Sequence, residues 1–443
     1  MPGGGKPSYG GSMGNDAQQG PDRGIEIRPI THEELADWDR AVALGFMRPH
    51  VAPATEWREL LFEPGRMLGA FDHDGPAAGG RPRCVATFRS FDTGLTVPGG
   101  ALLPVDAITG VTVNATHRRR GLLSGMMRHD LTAARERGAA AAILIAAEHN
   151  IYGRFGFGSA APLAGWRVDV LRSGGVRAGL PVHEGHRIDF ATLEEFRKHG
   201  PELHERWQPT QPGAIGRPEA WWRLRAGEID LPGFDWKQGF TAFHRTADGT
   251  LTGMVNYTVD DKWDGSYPDC PLTVRDFIAL DRKTANALWT FAFSVDWVRH
   301  VVAPHLGPGD VLPLLLNDPR GAKPHEEAAD FTWLRLLDLP AAFAARRYEA
   351  PGRLVLDVTD RAGWTAGRWA LESAADGTGR VTPTYDRADL ALDVSRLGAL
   401  YLGGGSAAAL ADAALLTELT PDAAARADTL LRTARAPWNP DSF

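Results

Sequence analysis

Residues able to do chemistry are concentrated in Ile108-Thr-Gly-Val-Thr-Val-Asn-Ala-Thr-His117 and the following Arg118-Arg-Arg-Gly-Leu-Leu-Ser124. An apolar, β-branched run ends there, three arginines follow, and a helical pattern opens with Gly121 in its first turn. Backbone N–H groups at a helix N-terminus lack intrahelical partners, and the macrodipole puts partial positive charge on them. Diphosphate is the natural ligand for such an end. Gly121 would let the anion approach without a Cβ in the way, and Arg118, Arg119 and Arg120 could add charge-assisted hydrogen bonds. Three arginines before a helix can also simply form a solvated turn. A second group, Glu148, His149 and Tyr152, follows the next strand-like run. A phenol can protonate a leaving group, and an imidazole has the intrinsic pKa of a general base. Tyr152 beside Phe155 and Phe157 is equally readable as a core aromatic.

Other chemistries find no footing. Neither G-x-G-x-x-G nor G-x-x-x-x-G-K-[ST] occurs, which disfavours nicotinamide and ATP sites. Gly-x-Ser-x-Gly occurs only as Gly10–Gly14 in the polar, glycine-rich start, away from any strand-to-helix pattern, so a serine hydrolase has no support; the 14 histidines are scattered without metal-ligand spacing, so no metal is expected. Two cysteines, Cys84 and Cys270, fit a reducing cytoplasm better than a disulfide framework. A net charge of −7, from 48 basic and 55 acidic residues, argues against a nucleic-acid partner. No run approaches the length of a membrane helix, and Met1–Gly24 reads as a polar, glycine-rich tail rather than a signal peptide.

The elements that must position these residues are readable from periodicity. Ile25–Ile30 alternates as a strand, and Thr31 with Glu34 forms a capping box for a helix over His32–Phe46. Met67–Phe71, Cys84–Asp92 and Leu102–Val113 read as strands. A helix over Gly121–Arg137 ends at Gly138, and Ala139–Ala147 is a buried strand. This is a β-α-β crossover in a mixed sheet. The pattern restarts near Arg172: Phe240–Arg245 and Thr252–Val259 flank a hairpin turn, Leu272–Leu280 is strand-like, Thr284–His300 helix-like, and Val311–Asn317 a strand. A third region from Phe331 holds strands at Arg353–Asp357, Trp369–Glu372 and Leu390–Val394. Two closing helices follow, over Ser406–Leu416 and from Thr420-Pro421-Asp422.

Arg118-Arg-Arg-Gly-Leu-Leu123 resembles the pyrophosphate loop of the GNAT N-acetyltransferases, with Leu123 in place of a small residue. Thr116-His-Arg-Arg-Arg-Gly-Leu-Leu123 together with Ile151-Tyr-Gly-Arg-Phe-Gly-Phe-Gly158 is similar to the Eis family of aminoglycoside acetyltransferases. The likeness extends to Trp57-Arg58, to Leu400-Tyr-Leu-Gly403 and to Phe443. It implies a mixed α/β chain of tandem GNAT-like domains followed by a sterol-carrier-like domain. The expected division is a tail over 1–23, a catalytic domain over 24–171, a cofactor-free GNAT-like domain over 172–330 and the third domain over 331–443. It further implies a homohexamer acting on a small-molecule amine.

Carried onto this chain, the resemblance puts acetyl-CoA contacts on Val111, Thr112 and Val113 for the pantetheine and on Arg119, Arg120, Gly121, Leu122, Leu123 and Ser124 for the diphosphate. Ala147 and Glu148 match a further contact pair, with Ala147 replacing a serine. Tyr152 is the implied general acid, and the α-carboxylate of Phe443 the implied general base, with Glu148 and His149 as competitors. Trp57 matches a substrate-pocket aromatic, although its spacing also suits a core position. Gly110 stands where an aromatic would line the pocket. Ser442 replaces an acidic residue, with Asp441 beside it. The equivalent junction of the second module, Leu280-Asp-Arg-Lys-Thr-Ala-Asn286, has no glycine and carries an acid, which marks it as structural. Two other functions are compatible with the sequence. One is a lysine acetyltransferase acting on proteins or peptides; the other is a non-catalytic CoA or lipid carrier, which would need an apolar tunnel in the third domain.

Overall fold

The computed structural model describes residues 24–443 except 52–56, 76, 78–79, 230–235 and 327–328; the tail expected over 1–23 lies outside the described residues. The first unit contains strands β1 (Ile25–Pro29), β2 (Met67–Asp72), β3 (Arg83–Thr96), β4 (Leu102–Val113) and β5 (Ala141–Ile145). Helix α1 (Leu35–Gly45) follows a short 3-10 turn that carries the Thr31–Glu34 capping box, and α2 (Leu122–Glu136) ends before Gly138, at φ +86°. Strands β1 to β4 pair antiparallel. The α2 crossover then returns β5 parallel to β4. Met126, Met127, Leu131 and Ala134 on one face of α2 close over Ile108, Ala142 and Leu144, which gives this unit its core.

The second unit repeats the plan. Strands Arg187–Ala191, Phe240–Arg245, Leu251–Val259 and Cys270–Ala279 pair antiparallel, helix Arg282–Phe293 crosses over, and Val298–Leu306 returns parallel. This corrects the expected helix over Thr284–His300 and the expected strand over Val311–Asn317. The apolar run masks a break: the helix stops at Phe293, Trp297 takes φ +70°, and Val298, Val301 and Val302 form the strand. Residues Leu312–Leu315 form a 3-10 turn with a proline near its start.

A single sheet spans both units because each contributes a strand to the other's side. β6 (Gly158–Asp169), which follows the first unit, pairs with Val298–Leu306 of the second. Ala329–Leu336, which follows the second, inserts between β5 and β6. The strand near Phe331, read from sequence as the start of the third region, therefore lies in the long sheet.

The last unit has its own five-stranded sheet, ordered Gly379–Pro383, Gly367–Ser373, Gly352–Thr359, Leu390–Asp393 and Leu416–Glu418. Val394 opens helix Val394–Tyr401 instead of ending a strand, and Ser406 caps a helix over Ala407–Asp412. The final helix, Ala423–Leu431, has Asp422 at its N-cap in the left-handed region, because the Thr420 hydroxyl is spent on Asp389 at 2.7 Å. Phe343, Leu397, Tyr401 and Leu431 fill the interior around the fully buried Arg346, which donates to the carbonyls of Tyr401 and Leu431. Helix Val394–Tyr401 reaches the long sheet at Gly158 and Gly398, where a Cβ would strike the carbonyls of Ser395 and Leu334.

Candidate active site

The cofactor-type residues sit where β4 and β5 part. Their parallel pairing covers Val105–Ile108 against Ala141–Leu144, so β4 from Thr109 to Val113 runs on without β5 beside it. On its other side β4 stays paired to β3. Gly110 makes the departure: it adopts φ +61° at a bulge in the β3–β4 register. The Thr87 hydroxyl donates to the Gly110 carbonyl at 2.8 Å and pairs with the Thr112 hydroxyl at 2.7 Å, which clamps the bulge. A backbone requirement at Gly110 thus accompanies the missing aromatic. Val111 and Val113 are half-buried, and Thr112 is buried.

Past Val113 the chain turns through Ala115–His117, held by His117 Nε2 against Asp72 at 3.2 Å. Arg118 and Arg119 are exposed, and Arg119 takes φ +65°. Gly121 is the N-cap of α2 in the left-handed region, at φ +74°, and no side chain caps this helix. The amides of Leu122, Leu123 and Ser124 therefore face outward uncapped. Leu123 packs against the core instead of the small residue of the loop pattern. The close approach of helix to sheet falls at Gly125, where a Cβ would lie 2.5 Å from Ile27.

Ala147 and Glu148 are exposed just past β5, and Glu148 is the N-cap of α3 (His149–Tyr152). Tyr152 is 7% exposed, with its ring edge-on to Phe157 at 6.3 Å. Burial first, and Glu148 second, raise its pKa above the usual phenol value, so it is protonated at neutral pH. Its hydroxyl bonds to no described residue and is not enclosed. His149 turns away: Nδ1 meets Asp330 at 2.6 Å and the ring stacks edge-on to Trp333 at 5.1 Å. Behind the Tyr152 turn, the buried Arg335 pairs with Asp360 at 2.8 Å and lies against Gly156 so closely that a Cβ there would collide with Nη1.

The closing tail is fastened, contrary to the usual fraying of chain ends. Asn439 Nδ2 donates to the Asp441 carbonyl at 3.0 Å and to Thr332 at 3.3 Å. Asp441 is 3% exposed and pairs with Arg217, which also clamps Asp276 in bidentate fashion at 2.8 and 3.0 Å. These two carboxylates outweigh burial and raise the Arg217 pKa. Asp441 is consequently spent on an internal cation and does not replace the acid missing at Ser442. The Phe443 ring meets Phe91 edge-on at 5.8 Å, on the sheet face of Ala107 and Ile143. Trp57 packs with Ala220, Leu224 and Ile229 of the second unit at 9% exposure.

Sequence reasoning missed Arg217, Asp276 and Asn439, whose partners lie far along the chain, and Arg89, a buried cation beside Phe91. Among the described residues no group of side chains is arranged to hold a metal ion, and no helix is long and apolar enough to cross a membrane.

The geometry meets independent likenesses. Acetyltransferase (GNAT) domain families match residues 26–160 and 213–336, and a sterol carrier protein domain matches 339–440. An N-acetyltransferase of Streptomyces avermitilis is 45% identical over 95% of this chain and 99% of its own. N-acetyltransferase Eis of Mycobacterium tuberculosis is 33% identical over 86% of this chain and 91% of its own. The chain is an Eis-like N-acetyltransferase. Eis1 from Mycobacterium abscessus superposes with a TM-score of 0.79 at 28% identity, covering 94% of this chain and all of that one. A GCN5-related N-acetyltransferase from Kribbella flavida gives 0.69 at 28% identity over 95% and 98%. The Eis-like family thus accounts for the order of two GNAT domains and one sterol-carrier-like domain, and for an enzyme that transfers acetyl groups to amines.

Proposed function

We propose that this Eis-like enzyme uses acetyl-CoA to acetylate small-molecule amines, with aminoglycosides as the acceptor class that the family resemblance implies. The supporting observation is the uncapped N-terminus of α2 at Gly121, set directly beyond the strand that leaves β5. The diphosphate would rest on the amides of Leu122, Leu123 and Ser124, with Arg119 and Arg120 beside it. The pantetheine would lie along Val111–Val113 and extend toward Ala147 and Glu148. The site residues fit this substrate because an anion is what an uncapped helix end lacks.

The acceptor arrives as an ammonium and must lose a proton before it can attack. We assign that proton to the α-carboxylate of Phe443, held in place by the Asn439 and Asp441 anchors. The neutral nitrogen attacks the thioester carbonyl carbon, and the C–S bond breaks as the tetrahedral intermediate collapses; the nitrogen's second proton restores the Tyr152 phenol after it has protonated the sulfur, and the proton held by Phe443 passes to solvent. Tyr152 delivers its phenolic proton to the departing sulfur, a role open to a phenol that stays protonated and whose hydroxyl bonds to no described residue. The homohexamer and action at several amines of one drug belong to the same reading.

The test is thiol release from acetyl-CoA with a panel of aminoglycosides and other amines. Tyr152→Phe should lower kcat by ~10²–10⁴-fold while CoA affinity stays within about twofold; unchanged turnover in that variant overturns the assignment of Tyr152.

A further inference from the structure

Among the described residues, most buried arginine side chains are matched to acceptors. Arg58 has Asp39 at 3.1 Å, Arg66 has Asp92 and Asp106, Arg217 has Asp276 and Asp441, and Arg335 has Asp360. Arg346, without a carboxylate, bonds to two backbone carbonyls. Arg89 has neither, although it is only 7% exposed. Its Nε is enclosed without a partner, whereas its two terminal nitrogens keep contact with solvent. Its guanidinium lies over the Phe91 ring at 4.9 Å, and Phe91 in turn meets Phe443. Burial, reinforced by Arg58 and Arg66, pushes its pKa down to about 10, so it keeps its charge at neutral pH.

A buried cation with no carboxylate in hydrogen-bond contact is costly; Glu63 acts on Arg89 only through space, behind burial and Arg58, and the guanidinium sits at a particular place. Arg89 pairs across the sheet with Thr109, immediately before the Gly110 bulge where β4 leaves β5. Phe91, two residues along, lies on the same sheet face and supports the ring of Phe443. The guanidinium therefore lies between the splayed strand and the residue assigned to deprotonate the amine. An acceptor pocket for polycations would place carboxylates here. This one places a positive fork, and Asp441, the nearby acid in sequence, is turned inward to Arg217.

We propose that Arg89 binds a carboxylate on the acceptor, so that preferred substrates are amines that also carry a carboxylate rather than polycations. The planar guanidinium matches a carboxylate in bidentate geometry, and the acceptor would span from Arg89 to the Phe443 side with its amine facing the base. This inference rests on the acetyl-transfer reading above and departs from it in the acceptor: aminoglycosides carry no carboxylate and become the poorer substrates of this chain.

Matched pairs test it: L-lysine against cadaverine and L-ornithine against putrescine, each with acetyl-CoA. The wild-type enzyme should favour the carboxylate-bearing member by on the order of 10²-fold in kcat/KM, mostly through KM. Arg89→Gln should erase the preference, and Arg89→Lys should restore part of it. Because Arg89→Gln removes an uncompensated buried charge, its thermal midpoint should not fall. Equal kcat/KM within each pair, or a preference that survives Arg89→Gln, overturns the proposal. A binding arm separates this from failure of the catalytic reading. Nε-acetyl-L-lysine should bind the protein–CoA complex more tightly than N-acetylcadaverine, and Arg89→Gln should lose the difference, whether or not any amine is turned over. No difference in wild type overturns the role of Arg89 alone.

Discussion

The two GNAT-like units reach the same strand-to-helix junction and finish it differently. In the first, Gly121 is the N-cap of α2 and offers no side chain, so the first amides of the helix are left for an external anion. In the second, Asp281 is the N-cap of helix Arg282–Phe293: its carboxylate accepts from the Thr284 amide at 2.8 Å and pairs with His183 at 2.9 Å. The anion is built in. The strand splay differs likewise. Cys270–Ala279 pairs with Val298–Leu306 only as far as Thr273, and the diverging ends share a cavity lining with Trp438, Pro440 and Asp441 of the tail. The slot that β4 and β5 leave open is thus closed in the second unit by the segment that leads to Phe443. In the reading proposed above, one scaffold serves as a ligand site where the helix end is bare, and as an anchor where the chain supplies its own charge.

Writing the second junction into the first should have the largest effect. Gly121→Asp tolerates the left-handed backbone better than most residues and puts a carboxylate where the diphosphate would rest. Acetyl-CoA affinity measured by calorimetry should fall by on the order of 10²-fold or more; an unchanged affinity would show that the bare helix end is not the anion site. The converse change should be modest. Asp281→Ala removes a cap worth ~1 kcal/mol, so the thermal midpoint should drop, and no second acetyl-CoA site should appear.

The units also differ in what is buried behind their junctions, which gives them opposite pH dependence. Asp106 on β4 is fully buried beside Asp130 on α2, and burial followed by Asp130 raises its pKa, against the opposing pull of Arg66 and Arg137. The native pair then holds a proton more firmly than the unfolded chain does, so stability falls as pH rises above the ordinary carboxylate range. His244 in the second unit is pushed from 6.5 down to about 4, by burial first and then by His186 and His183. Here the unfolded chain binds the extra proton, so stability falls as pH drops from about 6.5 through 4. Thermal midpoints across pH should show both slopes, each at most ~1.4 kcal/mol per pH unit per proton. Asp106→Asn should flatten the alkaline side and His244→Gln the acid side; slopes that stay the same would remove these groups from the account.

The first unit was legible in sequence because its signals are local. The Thr31–Glu34 box, the spacing of Met126, Met127 and Leu131, and Gly138 each act within a few residues. In the second unit the strands from Phe240 on and the helix as far as Phe293 were legible, and the reading failed beyond it. Val298–Leu306 looked like a continuation of the helix because its strand character comes from pairing with β6, over a hundred residues earlier. Ala329–Leu336 looked like the start of a new domain for the same reason: both of its neighbours belong to the first half. At the site, the strand-to-helix junction at Gly121 was legible from residue types, whereas Val111–Val113 and Tyr152 were singled out by the resemblance. The Arg217–Asp441 anchor joins residues 224 positions apart. Arg89 in turn stands in a strand-like run where nothing shows that no carboxylate bonds to it. Trp57 matched a pocket position by motif, yet packs on Ala220 and Leu224 of the second unit.

Counting acetyl-CoA sites per chain by calorimetric titration tests the contrast between the two junctions most directly. The account predicts one site, lost in Gly121→Asp and unaffected by Asp281→Ala. Two sites per chain, or a single site that survives Gly121→Asp, would contradict it.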